Sequence, residues 1–137
     1  MGSKPCEPHG YPSPVTDEHG QTVTLVVPAA AEYLRLARLA SADAGSRAGF
    51  DYEEIDDLRI AVTELCHILL GEGTRGNIAL EFSTADGAVT VAGHAANPGA
   101  PNDNEFSETI LSRVVDTHSV RDGADGRRFE LVKRRNP

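Results

Sequence analysis

The chain opens on a period of two. In "QTVTLVVP", residues 21–28, Val23, Leu25 and Val27 alternate with Thr22, Thr24 and Val26. That alternation of β-branched residues predicts a strand, ended by Pro28. The next stretch, "AAAEYLRLARLASADAGSRAG" at 29–49, shifts to helical spacing. Tyr33, Leu36, Ala37 and Ala40 form its apolar stripe, Arg35, Arg38 and Ser46 fall elsewhere, and Gly49 is a natural stop.

Residues 51–71, "DYEEIDDLRIAVTELCHILLG", give the clearest helix. Asp51 and Glu54 match a capping box, and acidic residues crowd the first turns, where the helix dipole favours them. Ile55, Leu58, Val62, Leu65, Cys66 and Leu69 keep core-facing spacing, and Gly71 and Gly73 end the element. Residues 77–95 read as two strands around "ADG" at 85–87, with Gly87 supplying the positive φ of the turn. "ANPGAPNDN" at 96–104 is a loop. Residues 105–117 form a shorter helix with Phe106, Ile110, Leu111 and Val114 on one side, and "HSVRD", "GADG" and "RRFELVKRR" close the chain as strand, turn and strand.

This order predicts a two-layer α/β (α+β) sandwich. Its sheet is mixed but mostly antiparallel, with about five strands covered on one face by about three helices. Residues 1–20 carry Pro5, Pro8, Pro12 and Pro14 and read as a disordered arm; residues 21–135 form the domain.

Composition narrows the function. The 137 residues are 39% hydrophobic and 25% charged, without tryptophan, which suits one aliphatic core. No apolar run approaches the roughly 20 residues of a membrane span, and "MGSKPCEPHGYPSP" has no apolar stretch of a signal peptide, so the expected location is cytoplasmic. A net charge of −8 disfavours direct binding to nucleic acid. With Cys6 and Cys66 as the only cysteines, no disulfide framework is expected. Cys6 and His9 have ligand-like spacing, but no second pair follows, so no metal site is expected. Lys133, Arg134 and Arg135 read as a solvated strand end, and no nucleophile is set beside a base and an orienting group.

One position resists this bland account. Glu64 stands in "AVTELCHILLG", an apolar helical stretch, with Ile68 one turn on. The surrounding "FDYEEIDDLRIAVTELC" at 50–66, together with "ILSRVVDTHSVRDGADGRRFELVKRR" at 110–135, resembles the bacterial anti-sigma factor and serine-protein kinase family. These are small single-domain forms of the histidine-kinase-like ATPase fold, and the "DLRIAV-E-C" run is typical of actinobacterial members. The resemblance covers about residues 21–135.

The resemblance implies roles residue by residue. Active members carry a glutamate base and, four residues on, an asparagine that holds Mg²⁺ against the phosphates. Here these positions are Glu64 and Ile68. An alkyl group cannot ligate a hard cation, and His67 points about 100° away around the helix. An adenine-reading aspartate and two spaced glycines are replaced by "AANPG" at 95–99: Ala95 takes the aspartate position, Asn97 the first glycine, and only Gly99 matches. Asp103 lies too far along to substitute. The glycine-rich phosphate lid becomes "NEFSETI" at 104–110, which lacks glycine and brings Glu105 and Glu108. Glu64 is then read as structural, paired with Arg59 or Arg75 or partly solvated.

The expected function is an anti-sigma factor that sequesters a sigma factor and competes with an anti-sigma-factor antagonist. Arg35 and Arg38 are the candidate contacts. ATP binding is expected to be weak or absent, so no cofactor is expected, and a homodimer through the first strand and helix is implied. Two alternatives stand beside it: an active Mg·ATP-dependent serine kinase with Glu64 as base, and a non-catalytic adaptor on the same scaffold.

Overall fold

The longest helix sets the architecture. In the computed structural model, which describes residues 21–100 and 105–136, helix α2 runs over Tyr52–Leu70. Its capping box forms as the sequence predicts: the Asp51 carboxylate accepts from the Glu54 amide and Glu54 Oε1 accepts from the Asp51 amide, each at 2.8 Å. The other Glu54 oxygen accepts from the Asn136 amide at 2.5 Å, tying the start of α2 to the far end of the domain. Leu58, Ala61, Val62, Leu65, Cys66 and Leu69 are fully buried. Burial of each leucine contributes about 2 kcal/mol. Ile55, expected in the core, is half-buried at its edge.

Around α2 lie β1 (Gln21–Pro28), α1 (Leu34–Arg47), β2 (Arg75–Ala85), β3 (Ala88–Asn97), α3 (Glu105–Val114), β4 (Thr117–Gly123) and β5 (Gly126–Arg134). The strand order is β1-β2-β3-β5-β4. Every neighbouring pair is antiparallel, so the sheet is not mixed as expected. The reason is the β3-α3-β4 connection: β4 returns outside β5 rather than beside β3. Asp86 and Gly87 both take positive φ, 54° and 76°, the two-residue turn whose twist suits a hairpin. The sheet's inner face, including Ile78, Leu80, Phe82, Val89, Val91, Phe129 and Leu131, packs under the helices.

Two helical faces differ from expectation. A 3-10 turn at Ala31–Tyr33 precedes α1, and the buried face is Leu34, Ala37, Ser41, Ala44 and Gly45. Leu36, two residues from Leu34 and so about 200° around the helix, is exposed, while Tyr33 and Ala40 sit at the rim. Small residues win this face because α1 lies close on α2: a Cβ on Gly45 would come 3.0 Å from Ile55. In α3, Leu111 is buried but Phe106 is 73% exposed. The helix stops at Val114, before residue 117, because the chain must turn into β4.

Candidate functional site

Glu64 lies midway along α2 and is partly buried. Neither arginine named from the sequence is its partner. Arg59 is held by Asp56 at 2.5 Å, and Arg75 begins β2. Instead Ser107 Oγ, in the first turn of α3, donates to Glu64 Oε1 at 2.7 Å. The carboxylate therefore docks α3 onto α2. Glu108, the next residue of α3, faces away: its Oε2 pairs with His118 Nε2 of β4 at 2.8 Å.

One turn past Glu64, the Ile68 side chain is in the core, only 9% exposed, and His67 is on the exposed side. Ala95 is fully buried in β3, opposite Ile78 on one side and Arg127 on the other. Gly99 meets the end of α2 edge-on. Its amide donates to Thr74 Oγ1 at 2.8 Å, and the adjacent Ala100 and Glu72 exchange two backbone bonds of 3.1 Å. A Cβ at Gly99 would lie 1.7 Å from the Glu72 carbonyl oxygen, so this glycine is required by close backbone approach. None of these three positions offers a side-chain ligand. Asp103, Cys6, His9 and the N-terminal arm lie outside the described residues. Among the described residues, no group of three or more His, Cys, Asp or Glu side chains could hold a metal ion.

The strongest polar feature at this end is one that the sequence reading passed over. Arg127, on β5, is buried. Its Nη1 donates to the carbonyls of Ile68 and Leu69 at 3.2 and 3.4 Å, Nη2 to the Gly99 carbonyl at 2.9 Å, and Nε to Asp122 at 2.8 Å. A signal for it was present: Phe129 and Leu131 face inward, and strand alternation carries Arg127 and Lys133 inward with them. Lys133 is likewise buried rather than part of a solvated strand end. It donates to the Val114 carbonyl at 3.0 Å and lies 3.9 Å from Asp57. Ser107 left no comparable signal, because its partner is 43 residues away.

On its other side, α2 borders an open groove of about 390 Å³ shared with α1. Arg38, Asp56, Arg59, Ile60, Thr63 and Glu64 line it. Arg35 is exposed and not among the lining residues. Cys66 lies behind this wall, and burial pushes its thiol up to about 12, with Arg38 pulling weakly the other way.

A five-stranded antiparallel sheet under three helices, with a carboxylate carried on the second, fits the small histidine-kinase-like ATPase scaffold that the sequence resembles. Known proteins agree. No protein-family model matches the chain. It is 32% identical over 115 residues to the serine-protein kinase RsbW of Bacillus pumilus, an alignment covering 77% of this chain and 70% of that protein. Against RsbW of Bacillus thuringiensis it is 30% identical over 106 residues, covering 75% and 62%. A shorter alignment with RsbW of Listeria monocytogenes gives 45% identity over 65 residues, 44% of this chain and 41% of that protein. The fold is similar to a crystal structure of the RsbU and RsbW domains of Rv1364c from Mycobacterium tuberculosis, with a TM-score of 0.66 and 18% identity over 83% of this chain and 32% of that one. The chain belongs to the RsbW serine-protein kinase family.

Proposed function

We propose that this protein is an anti-sigma factor that binds and sequesters a sigma factor, competes with an anti-sigma-factor antagonist for the same surface, and does so with little or no use of ATP. The observation that carries this reading is the asymmetry of α2. One side opens on the groove lined by Arg38, Arg59, Asp56 and Glu64. The end where Mg²⁺ and adenine would be held presents Ile68, Ala95 and Gly99, which have no ligating side chain, and a buried arginine whose nitrogens all point at protein acceptors. The residues present do not fit Mg·ATP. Arg38 is the partner contact of the two candidate arginines, because it alone lines the groove. Homodimerisation through β1 and α1 is supported by β1 being a sheet edge with Val23 exposed, beside Leu36 and Leu39 exposed on α1. Among the described residues no helix is long and apolar enough to cross a membrane, which fits a cytoplasmic regulator.

The test is recovery of partners from native cell extract on the immobilised chain. A sigma factor held by the unaltered protein and lost with Arg38→Ala is expected. Recovery of another regulator and no sigma factor would replace this reading with the adaptor. The kinase alternative rests on Glu64, a half-buried carboxylate that lines the open groove at the position where the family resemblance implies a base. Labelled ATP with the antagonist would then give phosphoserine, abolished by Glu64→Ala.

A further inference from the structure

A buried guanidinium is expensive unless its donors are all matched. Arg127 is 3% exposed, and each of its three nitrogens has an acceptor. The acceptors belong to three separate elements: the last turn of α2, the segment at Gly99, and Asp122 of β4. Two of them, the Ile68 and Leu69 carbonyls, lie at the negative end of the α2 dipole, where a cation is favoured. Ala95, directly across the β3–β5 ladder from Arg127, has no polar group to compete for this space.

We infer that Arg127 is an internal clamp at the C-terminal end of α2. Its guanidinium joins the end of α2 to the 99–100 segment and so orders, from within the chain, a loop that a bound nucleotide would otherwise have to organise. This rests on the reading, proposed above, that this end of α2 holds no Mg·ATP. Arg127 is a positioning residue: it fixes the Gly99 carbonyl, which with the Thr74–Gly99 bond and the Glu72–Ala100 bridge holds the segment against α2. This end of the scaffold is thereby set in one arrangement whether or not nucleotide is present. The groove side is left to respond to protein partners alone.

Hydrogen exchange on the full chain tests this at two amides, Gly99 and Ala100, which donate to Thr74 Oγ1 and the Glu72 carbonyl. In Arg127→Ala both are expected to exchange at least about tenfold faster, with the melting temperature lowered by roughly 10 °C or more. Arg127→Lys keeps the charge but cannot fork to three carbonyls. It is expected to speed the same two amides about tenfold while leaving β2 and β3 amides unchanged, and it decides the matter if the alanine variant does not fold. Asp122→Asn, at an exposed carboxylate, is expected to change them less than about twofold. Unchanged exchange at Gly99 and Ala100 in Arg127→Lys, or an equal effect from Asp122→Asn, would overturn the assignment. Slowing of these amides by Mg·ATP in the unaltered protein would sink the reading under Proposed function, whereas the Arg127→Lys result judges the clamp by itself.

Discussion

The open side of α2 and its closed C-terminal end are made from one helix, yet they follow opposite rules. At the groove, charged side chains are half solvated and paired locally, as Arg59 with Asp56. Such pairs hold little stability and leave the surface free to change partners. At the closed end, polar groups are buried and every bond crosses between elements, from β5 to α2, to the Gly99 segment and to β4. One helix can thus border a solvated surface of exchangeable pairs along its length and a locked, buried arginine at its end.

Substitutions should divide along the same line. The largest loss is expected for Gly99→Ala, at about 3 kcal/mol or more, because its Cβ would overlap the Glu72 backbone, which cannot move without breaking the bridge to Ala100. Chemical denaturation checks it; a loss under about 1 kcal/mol would mean that the closed end is looser than described. Ile68→Asn places there the ligand type that the family resemblance implies, yet it should cost about 3 kcal/mol by burying an amide in the core, and on the proposed reading it should not create micromolar Mg·ATP binding. Thermal melts with and without nucleotide read both effects.

Smaller effects belong to the middle of the helix and to the groove. Glu64→Ala should cost about 1 kcal/mol and speed exchange in the first turn of α3, since it removes the Ser107 bond. Cys66 gives a pH signature. Its thiol stays neutral in the folded protein up to about 12, whereas the unfolded chain ionises near the ordinary thiol value of 9.0. Stability from this group is full below pH 9 and is lost as pH rises towards 12, with a slope of at most about 1.4 kcal/mol per pH unit. Cys66→Ala should flatten the alkaline limb of stability against pH relative to the unaltered protein. Arg38→Ala should leave stability within about 0.5 kcal/mol and weaken partner binding at least about tenfold, which separates groove from closed end most cleanly.

Much of this was legible in the residues. The capping box of Asp51 and Glu54, the Asp86–Gly87 turn and the period-two strands are local signals, and each formed where the pattern placed it. On α1 the stripe expected from spacing matches at Ala37 but not at Leu36, which stands about 100° from Ala37 and faces solvent, while Leu34, three residues before Ala37, is buried. Spacing puts Phe106 on one side of α3 with Ile110, Leu111 and Val114, yet Phe106 is exposed while Leu111 is buried. The partners of Glu64 and Arg127 are set by tertiary docking, 43 residues away for Glu64 and 59 for Arg127 with Ile68. No local pattern encodes such pairs.

The measurement that bears most directly on the central claim is calorimetric titration of the whole chain with Mg·ATP. The proposed reading, in which Ile68, Ala95 and Arg127 leave no nucleotide site at the end of α2, predicts no heat of binding at micromolar nucleotide. Saturable binding at micromolar affinity would contradict it and return Glu64 to the role of a catalytic base.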